Sequence, residues 1–416
     1  MTNLMSPFQD FQKMYPAVSP AAARARADAA NRFEELGLPA KSNEGWHYTS
    51  VKPLAELDFK LALLERGAVV TKNLQRYLSA EFSQVVFIDG KFVPEISQFD
   101  EIEKYLVFSA EAERNDLADS AFELLNRGFA HQELQINIPS DTMVEKPVQI
   151  LSYITMSKVM THPFCRLVLG ARSKISLVEC FAGSGANYLQ NAVSQFEIGN
   201  SAKLEYLRIQ NDQGASFNIG STKIKMGNGS ALESLSVSLG AKLGRHDLQV
   251  DLHGLGGSAT VNGVTLGFGD QHLDHSTLID HQVGEGTTSQ LYKAVLGDRA
   301  RSVFTGKVMI QKGAQKAASE QLNNNLLLSG FAEADSRPQL EILADDVKAA
   351  HGSTVGQLNE EELFYLESRA IPKAAAIEML SVGFLQELVF RINDLRVQKY
   401  LNSILLEAYK AGGRHE

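Results

Sequence analysis

The sequence predicts a mainly β protein, with a parallel β-helix core between N-terminal and C-terminal helical regions. Three observations support this fold class. Between Arg166 and Gln339, a pattern of strand, glycine turn and second strand recurs every 28 or 29 residues. No proline occurs between Phe164 and Arg337, which suits uninterrupted strand ladders because proline removes a ladder donor. Helix-type spacing of apolar residues is found on both sides of this region.

The repeat appears in five segments: LVLGARSKISLVE, FEIGNSAKLEYLR, IKMGNGSALESLS, DLHGLGGSATVNG and HQVGEGTTSQLYK. Aligning the residue after each turn gives Ser173, Ala202, Ala231, Ala259 and Thr288, which are 29, 29, 28 and 29 residues apart. A fixed period is typical of a solenoid, in which each unit buries its face against the next. Because a solenoid is first a surface or a scaffold, the repeat favours a binding role.

Residues 1–130 are predicted to be mainly helical. The stretch PAAARARADAANRFEELG is rich in helix formers and ends at Gly37, and EAERNDLADSAFELLNRGFAHQ has helical spacing with Leu117 among its apolar positions. VVFIDGKFVP predicts a hairpin that turns at Asp89 and Gly90. Trp46 is the only tryptophan and is expected to anchor the core of this part.

Residues 131–357 form the predicted β-helix core, and residues 358–416 form a C-terminal helical domain. This last part carries apolar residues at three- and four-residue spacing: Ile377, Leu380, Phe384, Leu385, Leu388, Ile392 and Leu395. Such a stripe needs a partner surface. It packs either within its own domain or against another subunit.

Composition narrows the class of protein. The net charge of -9 and pI near 5.7 argue against a nucleic-acid binder, which needs a basic surface for phosphate. No apolar run approaches the roughly 18 residues of a membrane span, and MTNLMSPFQDFQKMYP lacks the pattern of a secretory signal. We therefore expect a cytoplasmic protein that binds neither nucleic acid nor membrane.

Histidines and aspartates are concentrated in GDQHLDHSTLIDHQVG, residues 269–284. His272, His275 and His281 are side chains that can bind metals. In a strand, His275 and His281 would face the same side, because they are an even number of residues apart. Either this group is a metal site, or it forms polar ladders between neighbouring turns of the solenoid.

Two short motifs are excluded by their context. HGLGGSA resembles a dinucleotide-binding turn, but TVNGVTLGFG follows it, and this stretch is strand-like rather than helical. No G-x-x-x-x-G-K-[ST] is present, so we expect no nucleotide site in this chain.

Cys165 and Cys180, the only cysteines, are expected to be buried thiols, and Glu179 beside Cys180 disfavours a thiolate.

His351 lies in DDVKAAHGSTVG, where the last strand-like stretch gives way to the helical tail. The edge of a solenoid can present a side chain to a partner, and a neutral imidazole binds borderline metals, including iron. A solvated histidine with no ligand is the alternative interpretation.

Three long segments carry a resemblance to a known family: NEGWHYTSVKPL, LNNNLLLSGFAEADSRPQLEILADDVKAAHGSTVG and LFYLESRAI. Together they resemble the SufB/SufD family of the SUF iron–sulfur cluster assembly system, and its SufD type in particular. The resemblance extends over most of the chain and is densest between Gly306 and Ile371.

This resemblance implies a right-handed parallel β-helix and a scaffold subunit that is not an enzyme. It implies pairing with SufB through the β-helix, and SufC ATPase binding through the C-terminal helical domain at Phe364, Tyr365, Arg369 and Ile371. A transient iron–sulfur cluster or iron is implied at the interface with SufB, with His351 as its ligand. Some relatives carry cysteine where this chain has Ala349, so a thiol at that position is not essential to the role. The chain is poor in cysteine and has no thiol at the position of SufB's acceptor cysteine, so the resemblance implies that SufB accepts the sulfur.

Two other functions remain open beside this one. A metal-storage or metal-delivery protein would use His272, His275 and His281 together. A carbohydrate-active β-helix enzyme would need converging carboxylates in an exposed cleft. Whether the isolated chain pairs with itself as a homodimer is also left open.

Overall fold

The computed structural model describes residues 3–62, 72–99, 101–109 and 120–413. Its centre is a solenoid in which successive strands alternate between two largely parallel sheets. From residue 189 to residue 327, each strand pairs with the strands two elements before and two elements after it. The predicted fold class is therefore confirmed: a parallel β-solenoid with helices at both ends.

The part of the chain before the solenoid contains both helices and short strands, and its first elements are helices. They are α1 (Phe8–Met14), α2 (Pro20–Leu36), α3 (Lys52–Ala55), β1 (Lys60–Leu61), α4 (Lys72–Gln75), β2 (Ser83–Ile88), β3 (Lys91–Phe92), β4 (Leu106–Ser109) and α5 (Ala121–Gly128).

Local signals in the sequence explain where these elements begin and end. The Ser19 side chain caps α2 by accepting a hydrogen bond from the Ala22 amide, and Gly37 ends the helix at φ 69°. Ser120 and Glu123 form a capping box at the start of α5. Leu117 and the rest of that predicted helix before Ser120 lie outside the described residues.

The predicted hairpin is confirmed. Strands β2 and β3 pair antiparallel, with Asp89 and Gly90 at φ 50° and 79°, as a primed turn requires. Strand β2 also pairs in parallel with Val148–Ile154, so the N-terminal part contributes a strand to the solenoid. The division of the chain at residue 130 stays a proposal.

The strands of the solenoid follow one another without a helix between them. They are β5 (Glu133–Ile138), β6 (Val148–Ile154), β7 (Val159–Thr161), β8 (Phe164–Leu169), β9 (Lys174–Gly183), β10 (Leu189–Ile198), β11 (Lys203–Asn211), β12 (Phe217–Met226), β13 (Ala231–Ser238), β14 (Leu243–Leu252), β15 (Ser258–Gly267), β16 (His272–His281), β17 (Thr287–Leu296), β18 (Arg301–Ile310), β19 (Ala318–Leu327), β20 (Glu333–Ile342) and β21 (Lys348–Gly356).

The strand register corrects part of the sequence alignment of the repeats. Lys203 pairs with Lys174 and with Ala231, so the residue equivalent to Ala202 is Ser230, one residue before the predicted Ala231. The next pairing, Ala231 with Ser258, puts the predicted Ala259 two residues beyond its equivalent position. A slip of one residue changes the face of a strand, which is why Ala231 is half-buried whereas Ala202 is buried.

The C-terminal elements are α6 (Glu360–Ser368), α7 (Lys373–Val389) and α8 (Leu395–Gly412). From the predicted apolar stripe, Leu385 and Leu388 are buried in a cluster with the outward face of the second sheet, which includes Leu235 and Val264. The Tyr400 hydroxyl on α8 donates a hydrogen bond of 2.8 Å to the Tyr77 carbonyl. Most of the stripe therefore packs within the chain, although Leu395 is exposed.

Candidate functional site

The solenoid ends in two edge strands. Strands β20 and β21 are the last members of the two sheets, and within the described part of the chain no strand pairs with their outer sides. Pro338 lies on β20. Proline lacks an amide hydrogen, and it is tolerated on an edge strand because the outer side of that strand forms no backbone hydrogen bonds to another strand. An edge strand presents unpaired backbone donors and acceptors, which can pair with a strand of another chain.

His351 lies near the middle of β21 and is exposed. Its side chain forms no hydrogen bond to another residue in the described ranges. Its backbone partner is Gln321 on β19, and Gln321 is completely buried in the solenoid. Because parallel partners point to the same side, His351 lies at the open end of the inward-facing column that contains Gln321. Ala349 is on the same face and packs against the core.

Apolar side chains are exposed around this end of the solenoid. Phe331 is 79% exposed, in the turn before β20. Ile342, Leu343 and Val355 are also exposed. Apolar groups next to open strand edges are typical of a protein interaction surface.

A second exposed surface lies on α6, which has no buried residue. Phe364 and Tyr365 are 71% and 57% exposed, and the Arg369 guanidinium lies 5.3 Å from the Tyr365 ring centroid. Ile371 follows the helix and is half-buried. A groove of about 460 Å³ beside them is lined by Asn359, Glu361, Glu362, Tyr365, Leu366 and Leu380. Aromatic and arginine side chains are the residue types enriched at binding hot spots.

The three histidines of β16 do not converge. His275 and His281 face the same side of the strand, as predicted, and the structure shows that this side is the buried interior. His272 points outward, where its Nε2 atom lies 2.9 Å from the Thr49 hydroxyl. Among the described residues, no three His, Cys, Asp or Glu side chains are grouped so that they could hold a metal ion.

Both thiols are buried, as predicted. Burial raises the pKa of Cys180 to about 12, and burial followed by the charge of Glu179 raises that of Cys165 well above its usual value. Both thiols are therefore protonated at neutral pH and unsuited to act as nucleophiles. The glycines of HGLGGSA form the turn between β14 and β15, and a strand rather than a helix follows them, as the sequence indicated.

The interior of the solenoid contains polar groups that the sequence analysis missed. The buried Glu179 carboxylate accepts hydrogen bonds from the hydroxyls of Ser194 and Tyr206, at 2.8 and 2.5 Å. Arg208 donates to Asn218 at 2.7 Å, and burial lowers the pKa of this guanidinium. Burial also raises the pKa of Glu179. The sequence contains one signal that could have revealed these groups: polar residues recur at inward-facing positions of otherwise apolar strands.

None of the helices in the described part of the chain is both long enough and apolar enough to cross a membrane.

Comparison with known proteins gives matches over most of the chain. The family model described as SUF system FeS cluster assembly, SufBD core domain, matches residues 153–384, and that of the SufBD N-terminal region matches residues 1–77. An iron–sulfur cluster assembly SufBD family protein of Synechocystis is 31% identical, over 88% of this chain and 86% of the relative. The iron–sulfur cluster assembly protein SufD of Escherichia coli is 28% identical over 91% of each chain.

Proposed function

The chain belongs to the SufBD family of the SUF iron–sulfur cluster assembly system, and we propose that it is a non-enzymatic scaffold subunit of the SufD type. The observation that supports this most is the open last turn of the solenoid, which combines unpaired strand edges, exposed apolar residues and His351. In this role the protein works in the cytoplasm as part of a SufBCD complex.

The proposed partner of the open end is SufB. A second β-solenoid can continue the two sheets by adding its own strands to β20 and β21, since parallel ladders satisfy the unpaired backbone groups on both chains. The exposed Phe331, Leu343 and Val355 would be buried in the same step. Self-pairing of two copies through this edge is the competing outcome.

His351 is the proposed ligand of the nascent cluster or of iron at this interface. The cluster is the cargo of the complex, and this chain would supply a single imidazole to it. An exposed histidine on the last strand can reach a group held between two subunits, and iron accepts imidazole ligands. Ala349 provides no thiol on the same face, so SufB would accept the sulfur.

The proposed SufC-binding surface is the exposed face of α6, with Phe364, Tyr365 and Arg369, together with Ile371 after it. Helix α6 is linked to the solenoid through its contacts with α7, and α7 packs against the outward face of the second sheet. Movements of SufC during its nucleotide cycle could therefore be passed to the solenoid through α7.

Pairing through the edge can be tested with one proline. The Lys348 amide donates inward to Ala317, so by alternation the amide of Ser353 points away from the sheet. Gly352 before it leaves space for the proline ring. Ser353→Pro should therefore keep the chain folded but abolish co-purification of SufB with the tagged chain, whereas the control Ser353→Ala should retain SufB.

Retention of SufB by Ser353→Pro, with normal thermal unfolding of the variant, would show that the edge of β21 is not the pairing surface. If the wild-type chain bound neither SufB nor SufC, the scaffold function itself would be contradicted.

A further inference from the structure

Two neighbouring histidines inside the solenoid differ in their hydrogen bonds. His246 and His275 are register partners on β14 and β16, with ring centroids 6.4 Å apart. His246 is satisfied on both sides, by the hydroxyl of Thr222 at 3.0 Å and that of Ser236 at 3.1 Å. Neither ring nitrogen of His275 has a protein partner in the described part of the chain. A neutral imidazole has one donor and one acceptor, so His275 needs two partners.

Three further side chains inside this part of the solenoid, on β17 and β19, also carry unpaired polar atoms. The Tyr292 ring centroid lies 5.3 Å from that of His275, and the Tyr292 hydroxyl has no partner in the described ranges. The Nε2 atom of Gln290 and both amide atoms of Gln321 also lack partners there. Gln290 and Gln321 are register partners on adjacent strands. All four side chains are at most 3% exposed, so bulk solvent does not reach them.

Glycines make room for these side chains. A Cβ atom at Gly306 would lie 2.0 Å from Nε2 of Gln321, and one at Gly263 would lie 2.1 Å from the Tyr292 ring. Any larger residue at either position would displace the polar side chain opposite. The local sequence therefore accommodates the polar cluster by keeping side chains away from it.

We propose that the cluster of His275, Gln290, Tyr292 and Gln321 is an internal binding site for ordered water molecules. An unpaired buried polar atom is costly, and buried water typically makes about three hydrogen bonds to such atoms. Ordered water bound to these atoms would therefore remove most of that cost. Thr277 already donates to Oε1 of Gln290 at 2.8 Å, which directs the Nε2 atom of Gln290 away from Thr277.

The site lies one strand below the open end, because Gln321 is the register partner of His351. It would be present whether or not His351 binds iron, since its four members are buried in the isolated chain.

A high-resolution crystal structure of the full chain tests the site directly. The expected result is ordered water within about 2.7–3.2 Å of His275 and of the Gln321 amide. Direct hydrogen bonds among the four side chains, or a dry space between them, would overturn the inference.

Thermal unfolding gives a second test, because bound water and a dry site predict opposite changes in Tm. In Gln321→Met, the amide is replaced by an apolar group of similar length. If water is bound to this amide, the substitution removes its hydrogen bonds and Tm should fall by roughly 2–4 °C or more. If the site is dry, removal of an unpaired buried amide should raise Tm, which would contradict the proposal. Gln135→Met, at a half-exposed position on β5, is the control and should leave Tm nearly unchanged.

Discussion

The guanidinium of Arg245 on β14 lies over the indole ring of Trp46, 4.0 Å from its centroid. The same guanidinium forms an ion pair with the fully buried Asp274 on β16, and Thr49 donates a hydrogen bond of 2.5 Å to that carboxylate. The segment from Trp46 to Thr49 therefore covers two strands of the solenoid and closes a buried charge pair. This contact holds the N-terminal part against the outward face of the first sheet.

Arg245→Met should destabilise the protein strongly. The substitution keeps most of the side-chain volume but leaves Asp274 buried without its cation, which costs about 3–5 kcal/mol in comparable buried pairs. The free energy of unfolding, measured by denaturant titration, checks this.

The matched control is Arg299→Met, because Arg299 pairs with Asp270 on the surface, where the two side chains are 70% and 69% exposed. The control should lose far less stability, because water screens the charges of an exposed pair. Equal losses in the two variants would contradict a special role for the buried pair.

The sequence predicted the repeating architecture because each turn of a solenoid buries its residues against its neighbours in a local, periodic way. It also placed His275 and His281 on one face, since strand alternation is a local rule. The register of Ala231 was wrong by one residue, because turn lengths vary between passes and a short motif does not fix them.

Contacts between distant segments could not be predicted in the same way. Trp46 and Arg245 are far apart in the chain, and nothing in the local pattern of either indicates the other. The unpaired polar atoms of His275, Tyr292 and Gln321 depend on which side chains of the two facing sheets meet, and this is a property of the closed solenoid. For His351, the sequence suggested a domain edge, and the structure adds that this edge has no strand partner among the described residues.

Acid should destabilise the protein through its buried histidines. Burial first, and then the charge of Arg208, lowers the pKa of His275 to about 3. Between about pH 6.5 and pH 4, the unfolded chain therefore binds a proton that the folded chain does not, and stability falls as the pH falls. Each such histidine contributes about 1.4 kcal/mol per pH unit in this window. Burial similarly lowers the pKa of His131, His272 and His281 to about 4.

His275→Asn should reduce this acid sensitivity by one proton. The difference in unfolding free energy between wild type and variant should shrink by about 1.4 kcal/mol per pH unit as the pH falls from about 6 to 4. Denaturant titrations at several pH values measure it. His253→Asn, at an exposed histidine, is the control. A difference that stays constant with pH would show that His275 is not a neutral buried group in the folded state.

His351→Ala should impair cluster formation without affecting the fold. The side chain is exposed, so its removal should change the free energy of unfolding by less than about 0.5 kcal/mol. Iron and acid-labile sulfide content of the complex reconstituted with SufB and SufC should fall well below that of the wild type. The control His253→Ala removes another exposed imidazole. A wild-type rate of cluster formation in His351→Ala would contradict the ligand assignment.

Binding of SufC should depend on α6, and point substitutions test this better than truncation. Removing residues after 358 would strip Leu385, Leu401 and their neighbours from the second sheet and expose its apolar face, so loss of binding would follow from misfolding. In Phe364→Ala/Tyr365→Ala, two exposed side chains are removed and the core is left intact. Because aromatic hot spots contribute about 2 kcal/mol or more, the Kd for SufC should rise at least tenfold, as measured by calorimetry. The control is Phe390→Ala, at an exposed aromatic beyond the other end of α7. If SufC bound the double variant with wild-type affinity, the interface would have to lie elsewhere on the chain.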